Sequence, residues 1–343
     1  MNTKIKTDGF AFVEFVSTRP MELVELFERL GFRLSGKSRS GMFLMTQGAA
    51  TFVVNGNPNA FESRHGASVR AIGIRVNDAK LAHALALSGG ARTASAETEG
   101  AFVIDTPTIL GIGDSLVYFV DSDFQDVFSL PAEARNTPEG DANILAVDHT
   151  SNIVHPENLD LWTNFYRDTF GFTEKQYLEV KGHMSGMRAR SMVSPCGRVS
   201  IPVAAAAHDQ PGVLNQNDEF IRDYGGEGIQ HIALLTSNIE DTIQKLGAAG
   251  IEFMAAPSQN YYGGIDARLP GHGLDVNRLA QGGILVDGKA PQKILLQRFT
   301  KRQIGPVFFE IIDRRGEDGF GEGNFKALFE SQEKDQQQRG SLN

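Results

Sequence analysis

Apolar residues along the chain recur in two rhythms that take turns. Residues 10–16 alternate loosely between apolar and polar, and residues 21–30 then carry apolar side chains at helical spacing up to Gly31-Phe32. This order reads as a strand, an amphipathic helix, a glycine stop and a new strand. It returns at 69–76, followed by a helix over 78–87 and Gly89-Gly90. It returns again at 144–153, with a helix over 158–169 and Gly171-Phe172, and at 229–235, with a helix over 239–249 and Gly250-Ile251. Four units of one kind are therefore predicted.

Each opening precedes a β-rich segment, at 41–54, 101–120, 183–203 and 294–312. A unit of one strand, one helix and about three further strands cannot bury its sheet face alone, so the units must pair. The pattern predicts an α+β protein of two domains, each made of two βαβββ units. The polar stretch 131–143 divides them, giving an N-terminal domain over 1–140 and a C-terminal domain over 141–343.

Composition narrows the chemistry. The 343 residues hold 33 Lys and Arg against 42 Asp and Glu, a net charge of −9, which argues against nucleic acid as a partner. Cys196 is the single cysteine, so an intramolecular disulfide, a zinc finger and a cysteine-held iron–sulfur cluster are excluded. Any metal must take nitrogen and oxygen ligands. The longest apolar runs, such as 201–207, are far shorter than the roughly 20 residues of a membrane span. Residues 1–19 mix charges into their apolar positions without a signal-peptide pattern, so a cytoplasmic protein is expected.

Of the eight histidines, His65, His83, His155, His183, His208 and His272 have no partner at diagnostic spacing. The first three are expected at the surface. His149 and His231 differ, because each lies in the first strand of its unit, at matching places in the third and fourth repeats. If those units pair pseudosymmetrically, both imidazoles can face one cavity. Glu310, alone in the apolar run Pro306-Val307-Phe308-Phe309-Glu310-Ile311-Ile312, is costly to bury unless a cation or donor neutralises it. Two His and one carboxylate with an open face is the ligand set of non-haem Fe(II) oxygenases; the alternative is two core histidines and a salt-bridged glutamate. In the N-terminal units the same places are expected to hold Phe15, Ala71 and Val120, none of them a ligand.

Val147-Asp148-His149, Gly226-Glu227-Gly228-Ile229-Gln230-His231-Ile232-Ala233, Leu295-Leu296-Gln297, Gly305-Pro306-Val307-Phe308-Phe309-Glu310 and Gly319-Phe320-Gly321-Glu322-Gly323-Asn324-Phe325 occur in that order. Through them nearly the whole chain resembles the 4-hydroxyphenylpyruvate dioxygenase family of the vicinal oxygen chelate superfamily. The resemblance implies one Fe(II) per chain held by His149, His231 and Glu310. It further implies substrate-binding glutamines at Gln216, Gln230 and Gln297, and an aromatic clamp of Phe299 and Phe325 with Phe320 and Asn324 nearby. Of these, Gln230, Gln297, Phe299 and Phe325 would take part in catalysis. The implied reaction joins a 2-oxo acid and O₂ by oxidative decarboxylation, ring hydroxylation and side-chain migration, giving homogentisate in tyrosine and phenylalanine catabolism. A segment over 324–333 would close the site, and a homo-oligomer is the implied assembly.

Two substrate-pocket positions depart from that family. Ala189 stands where the family has a serine, and Ala204 where it has an asparagine. Arg188 and Arg190 flank Ala189 and should point away from the cavity by strand alternation. These losses bear on the substrate ring, because polar partners carry much of a site's discrimination. Two alternatives follow within the enzyme class: a paralogue acting on another 2-oxo acid, or one forming 4-hydroxymandelate. A non-catalytic small-molecule binding or resistance protein is the alternative outside it.

Overall fold

The computed structural model describes residues 4–129, 142–181, 186–207, 215–289, 291–321 and 323–324. The first half contains β1 (Thr7–Val16), α1 (Pro20–Arg29), β2 (Arg33–Ser38), β3 (Phe43–Gln47), β4 (Ala50–Asn55), α2 (Ala60–His65) and β5 (Ser68–Val76). It continues with α3 (Ala79–Ser88), α4 (Ala96–Glu99), β6 (Thr108–Leu110), β7 (Leu116–Val120) and β8 (Phe128–Ser129). The second half contains β9 (Ile144–Ile153), α5 (Leu159–Phe170), β10 (Thr173–Lys181), β11 (Gly186–Val193), β12 (Ser200–Ala207), α6 (Gln216–Tyr224) and β13 (Gly228–Thr236). After these come α7 (Ile239–Ala248), α8 (Gln259–Gly263), α9 (Ile265–Arg268), α10 (Val276–Gly282), β14 (Leu285–Lys289), β15 (Lys293–Phe299) and β16 (Phe308–Arg315).

Each half forms one eight-stranded mixed sheet. The second runs β10-β11-β12-β9-β13-β16-β15-β14, so the two opening strands β9 and β13 pair antiparallel at its centre, and each has a parallel neighbour on its other side. This is the pseudosymmetric pairing that the repeats predict. The first sheet runs β6-β7-β5-β1-β4-β3-β2-β8 on the same plan. Its second unit is shorter than expected: none of 101–107 is strand, β6 spans three residues, and β8 leaves its unit to pair with β2. Between α7 and β14 the chain inserts α8, α9 and α10, which the repeat pattern does not anticipate.

Local chemistry explains the recurrent openings. α1 begins at Pro20 and buries Leu23, Val24, Leu26 and Phe27; α5 ends at Gly171 with φ +72°, a left-handed backbone that favours glycine. The two halves share one core. On β16, Phe309 turns outward to meet Phe15, Phe27 and Phe52 at ring-centroid distances of 6.4, 6.3 and 6.1 Å, while its neighbour Glu310 turns into the second sheet's cavity. Among the described residues, no helix is long and apolar enough to cross a membrane. The boundary expected at residue 140 and the histidines His183 and His208 lie outside the described residues. His65 differs from expectation: it is buried, stacks on Tyr224 at 4.5 Å and contacts its carbonyl oxygen through Nδ1 at 2.7 Å.

Candidate metal centre and substrate cavity

Ladder register brings the ligand candidates together. His149 on β9 pairs with Ala233 on β13, and Ala233 pairs with Glu310 on β16. Because Ala233 has no side chain beyond Cβ, the imidazole and the carboxylate meet across the strand between them. His149 Nε2 lies 3.2 Å from Glu310 Oε2, and His231 Nε2 lies 3.5 Å from the same oxygen. One ligand atom from each of the three residues falls within 4.8 Å of the others. His231 is oriented by Phe308, which stacks on it at 4.8 Å.

Two β-bulges set the surroundings of the histidines. The β9–β13 register shifts between His149↔Ala233 and Val147↔Leu234, so Asp148 is the extra residue; it shifts again between Ile229↔Asn152 and His231↔Ser151, where Gln230 is extra. Strict alternation would turn both away from the cavity. The bulges instead bring Asp148 to 2.8 Å from His149 Nδ1 and let Gln230 line the cavity beside His231. Arg314 fixes Asp148 from behind with two hydrogen bonds, of 2.7 and 2.8 Å.

Electrostatics follow from burial and pairing. Burial opposes charge on both His149 and Glu310, yet their mutual attraction, with Asp148 and His231 assisting, wins. His149 is raised to about 9 and Glu310 lowered to about 2. His231, buried and beside the first imidazole, is lowered. Burial would raise Asp148 too, but Arg314 and His149 hold it well below the usual carboxylate range. Among the described residues the ion-pair contacts of Glu310 are the two imidazoles, with Arg314 acting on it from farther off. Two nitrogens and one oxygen converging on a buried site suit a divalent transition metal.

Around this floor a hydrogen-bond chain fixes the substrate side. Gln297 donates from Nε2 to Glu310 Oε1 at 2.9 Å, Asn324 donates to Gln297 Oε1 at 2.9 Å, and Tyr261 donates to Asn324 Oδ1 at 2.7 Å. Gln216, Gln230, Gln297, Phe299, Phe320, Asn324, Ala189 and Ala204 line the same cavity as the three ligand candidates. Phe299 faces the cavity, whereas Arg298 packs on Phe253 at 5.2 Å; Arg190 is turned away as well, paired with Asp160 and Glu174. Phe325, and the closing segment over 324–333 except Asn324 itself, lie outside the described residues. Asp148, Arg314 and Asn217 are not among the site residues expected above. Asn217 also lines the cavity, one position after Gln216.

The N-terminal half repeats the geometry with other side chains. Its β1–β5 ladder carries a bulge at Arg70, between Phe15↔Val69 and Glu14↔Ala71. Matching the two bulges places Phe12, Ala71 and Tyr118 where His149, His231 and Glu310 stand. Of the expected set, Ala71 keeps its place, while Phe15 and Val120 give way to Phe12 and Tyr118, which strand pairing sets on either side of Gly73, the counterpart of Ala233.

Residues 1–130 match the family model described as "Hydroxyphenylpyruvate dioxygenase, HPPD, N-terminal", and 146–271 match "Glyoxalase/Bleomycin resistance protein/Dioxygenase superfamily". The chain is 43% identical to hemolysin VllY of Vibrio vulnificus, over 98% of this chain and 97% of that one. It is 41% identical to a 4-hydroxyphenylpyruvate dioxygenase of Pseudomonas aeruginosa, again over 98% and 97%. Among solved structures, a mutant of 4-hydroxymandelate synthase from Streptomyces coelicolor shares the fold, with TM-score 0.80, 22% identity and coverage of 96% and 99%. With likeness of this extent along nearly the whole chain, and with the paired sheets of the vicinal oxygen chelate fold, the chain belongs to the 4-hydroxyphenylpyruvate dioxygenase family.

Proposed function

We propose that the protein is an Fe(II)-dependent dioxygenase that converts 4-hydroxyphenylpyruvate and O₂ into homogentisate and CO₂. The observation that carries this reading is the convergence of His149, His231 and Glu310 at the floor of a cavity lined by three glutamines. Those three residues would hold the iron, which when bound supplies the redox chemistry that couples reduction of O₂ to loss of the substrate carboxyl as CO₂. The rest falls to the chain. Asp148 keeps a proton on His149 Nδ1, leaving Nε2 free to ligate. Gln297 holds Glu310 in one rotamer and, through Asn324 and Tyr261, ties the site to β14. Phe299 and Phe320, both buried, give the ring an apolar seat and exclude water, which protects reactive species from side reactions. Phe325 is proposed to complete that seat. A cytoplasmic location and assembly as a homo-oligomer complete the reading.

The deciding measurement is oxygen uptake by the Fe(II)-loaded protein with 4-hydroxyphenylpyruvate, with products identified by mass and NMR. Homogentisate is expected with one CO₂ released per O₂ consumed, whereas 4-hydroxymandelate would mean hydroxylation at the benzylic carbon. Tight ligand binding without O₂ uptake, surviving His149→Ala and His231→Ala, would instead mark a binding protein on the same scaffold.

A further inference from the structure

The opening turn of α6 carries two cavity-lining residues, each with a buried polar atom that lacks a partner among the described residues. Gln216 is 8% exposed and Asn217 2%, both line the cavity, and neither Gln216 Oε1 nor Asn217 Nδ2 has a hydrogen-bond partner among the described residues. Leaving such buried groups unpaired is costly, so they call for a ligand. Their position is fixed by the backbone. Asn215 caps the helix, accepting from the Asn217 and Asp218 amides at 2.8 and 3.1 Å, and its own Nδ2 donates to the Gly186 carbonyl at 2.8 Å. Gly186 pairs with Ala207 at the far end of β12. On that strand Ser200 lies opposite His149 and Ala204 opposite Ile153, so Ala204 stands four residues, roughly 13 Å, along the strand from the level of His149. Gln216 and Asn217 thus belong to the end of the cavity remote from the ligand cluster, the end where Ala189 and Ala204 supply no polar group.

One orphan acceptor beside one orphan donor matches a hydroxyl, which donates its hydrogen and accepts at a lone pair. A carboxylate would satisfy only the donor, an ammonium only the acceptor, and an unsubstituted ring neither. We infer that Asn217, together with Gln216, reads a ring hydroxyl at the end of the substrate remote from its 2-oxo acid group. Asn217 is then a specificity-determining residue, supplying a contact that positions 189 and 204 do not. The inference rests on the proposed function, since it takes the 2-oxo acid end of the ligand to lie at the His149, His231 and Glu310 cluster.

Two measurements on the Fe(II)-loaded protein and its Asn217→Leu variant test it. In oxygen uptake, the preference in kcat/KM for 4-hydroxyphenylpyruvate over phenylpyruvate should fall about tenfold in the variant, through KM for the hydroxylated substrate, with phenylpyruvate little changed. Anaerobic calorimetry with the same two compounds should show the same loss as a ratio of dissociation constants. Asn217→Ala, which removes the amide without adding bulk, should reproduce both results if the Leu variant unfolds. An unchanged ratio in a folded variant overturns the inference and passes the role to another lining hydroxyl such as Ser151 or Ser191. A wild-type protein that takes up no O₂ overturns the proposed function instead. In that event an anaerobic preference for the hydroxylated compound that disappears in the variants still upholds the role of Asn217, and its absence overturns it.

Discussion

Arg314 grips Asp148 with a two-pronged contact, Nε to Oδ1 at 2.7 Å and Nη2 to Oδ2 at 2.8 Å, and through it steers the imidazole of His149. The same guanidinium donates to the Glu317 and Gly319 carbonyls and lies 5.5 Å from the Phe320 ring. One side chain therefore joins a ligand candidate to the segment that lines the cavity. Partners of metal-binding histidines hold the ring orientation and tautomer, and their loss typically costs 10–100-fold in metal affinity. Asp148→Asn should weaken metal binding about that much in chelator competition, with the fold intact by circular dichroism. Arg314→Lys should weaken it in the same direction, because a lysine cannot reproduce the planar fork. Unaltered affinity in both variants would show that Asp148 and Arg314 serve packing alone.

Without metal, the ligand cluster should make stability depend on pH in a definite way. His149 is raised from 6.5 to about 9, so its contribution is complete below 6.5 and is lost as pH climbs through 9. Glu310 is lowered from 4.5 to about 2, so its contribution is complete above 4.5 and is lost as pH falls toward 2. The two overlap between about 4.5 and 6.5, and His231, lowered by burial, favours the upper part of that window. Chelator-treated protein should melt at its highest temperature there and at progressively lower ones from pH 6.5 to 9. Metal takes the place of the His149 proton, so the loaded protein should lose that alkaline decline. A metal-free melting temperature that stays level from pH 6 to 9 would contradict the assigned coupling.

Much of this organisation is legible in the sequence because it is written in periodicity. The strand over 144–153 is recovered to the residue, and the helices opening at 159 and 239 fall within a residue of their expected limits. The bulges are not legible. Alternation alone puts Asp148 and Gln230 on the opposite face from the histidines beside them, and only the paired strand reveals the extra residue that re-aims each. Phe15 and Val120 differ from Phe12 and Tyr118 in the N-terminal comparison because only strand pairing shows which residues flank Gly73. Arg314 is not legible for another reason: it acts on Asp148 across 166 positions of the chain.

Phe309 offers a test of whether the halves unfold together. It lies on the same strand as Glu310 but inserts among Phe15, Phe27 and Phe52 of the other half, fully buried. Phe309→Ala removes that ring and leaves a cavity between the sheets, at a cost of about 3–5 kcal/mol. Urea denaturation followed by calorimetry should show one transition, shifted as a whole. Two separated transitions, with only the C-terminal one displaced, would mean that the shared core does not couple the halves.

The N-terminal half fills the matching place with a buried ion pair. Glu14 and Arg70, 0% and 1% exposed by side chain, meet at 3.1 Å; Asn55 donates to Glu14 at 2.7 Å and Tyr118 at 3.3 Å, while Arg70 also caps the Glu99 and Ala101 carbonyls. Burial pushes the Glu14 carboxyl up despite the pull of Arg70. By register Arg70 corresponds to Gln230, Tyr118 to Glu310 and Asn55 to Ala204, so this network occupies the volume that the other half keeps open. Removing one partner of such a pair typically costs about 3–5 kcal/mol, because the other is left buried and unmatched. Arg70→Met should therefore destabilise strongly in urea at pH 8, and less at pH 5, where Glu14 takes up a proton more readily. Replacing both, as Glu14→Leu with Arg70→Met, removes the stranded charge and should recover most of the loss. Oxygen uptake should survive in each variant that folds, since the pair belongs to the half without the ligand cluster. A double variant no more stable than Arg70→Met would show that the carbonyl contacts of Arg70, and not its charge, hold this half together.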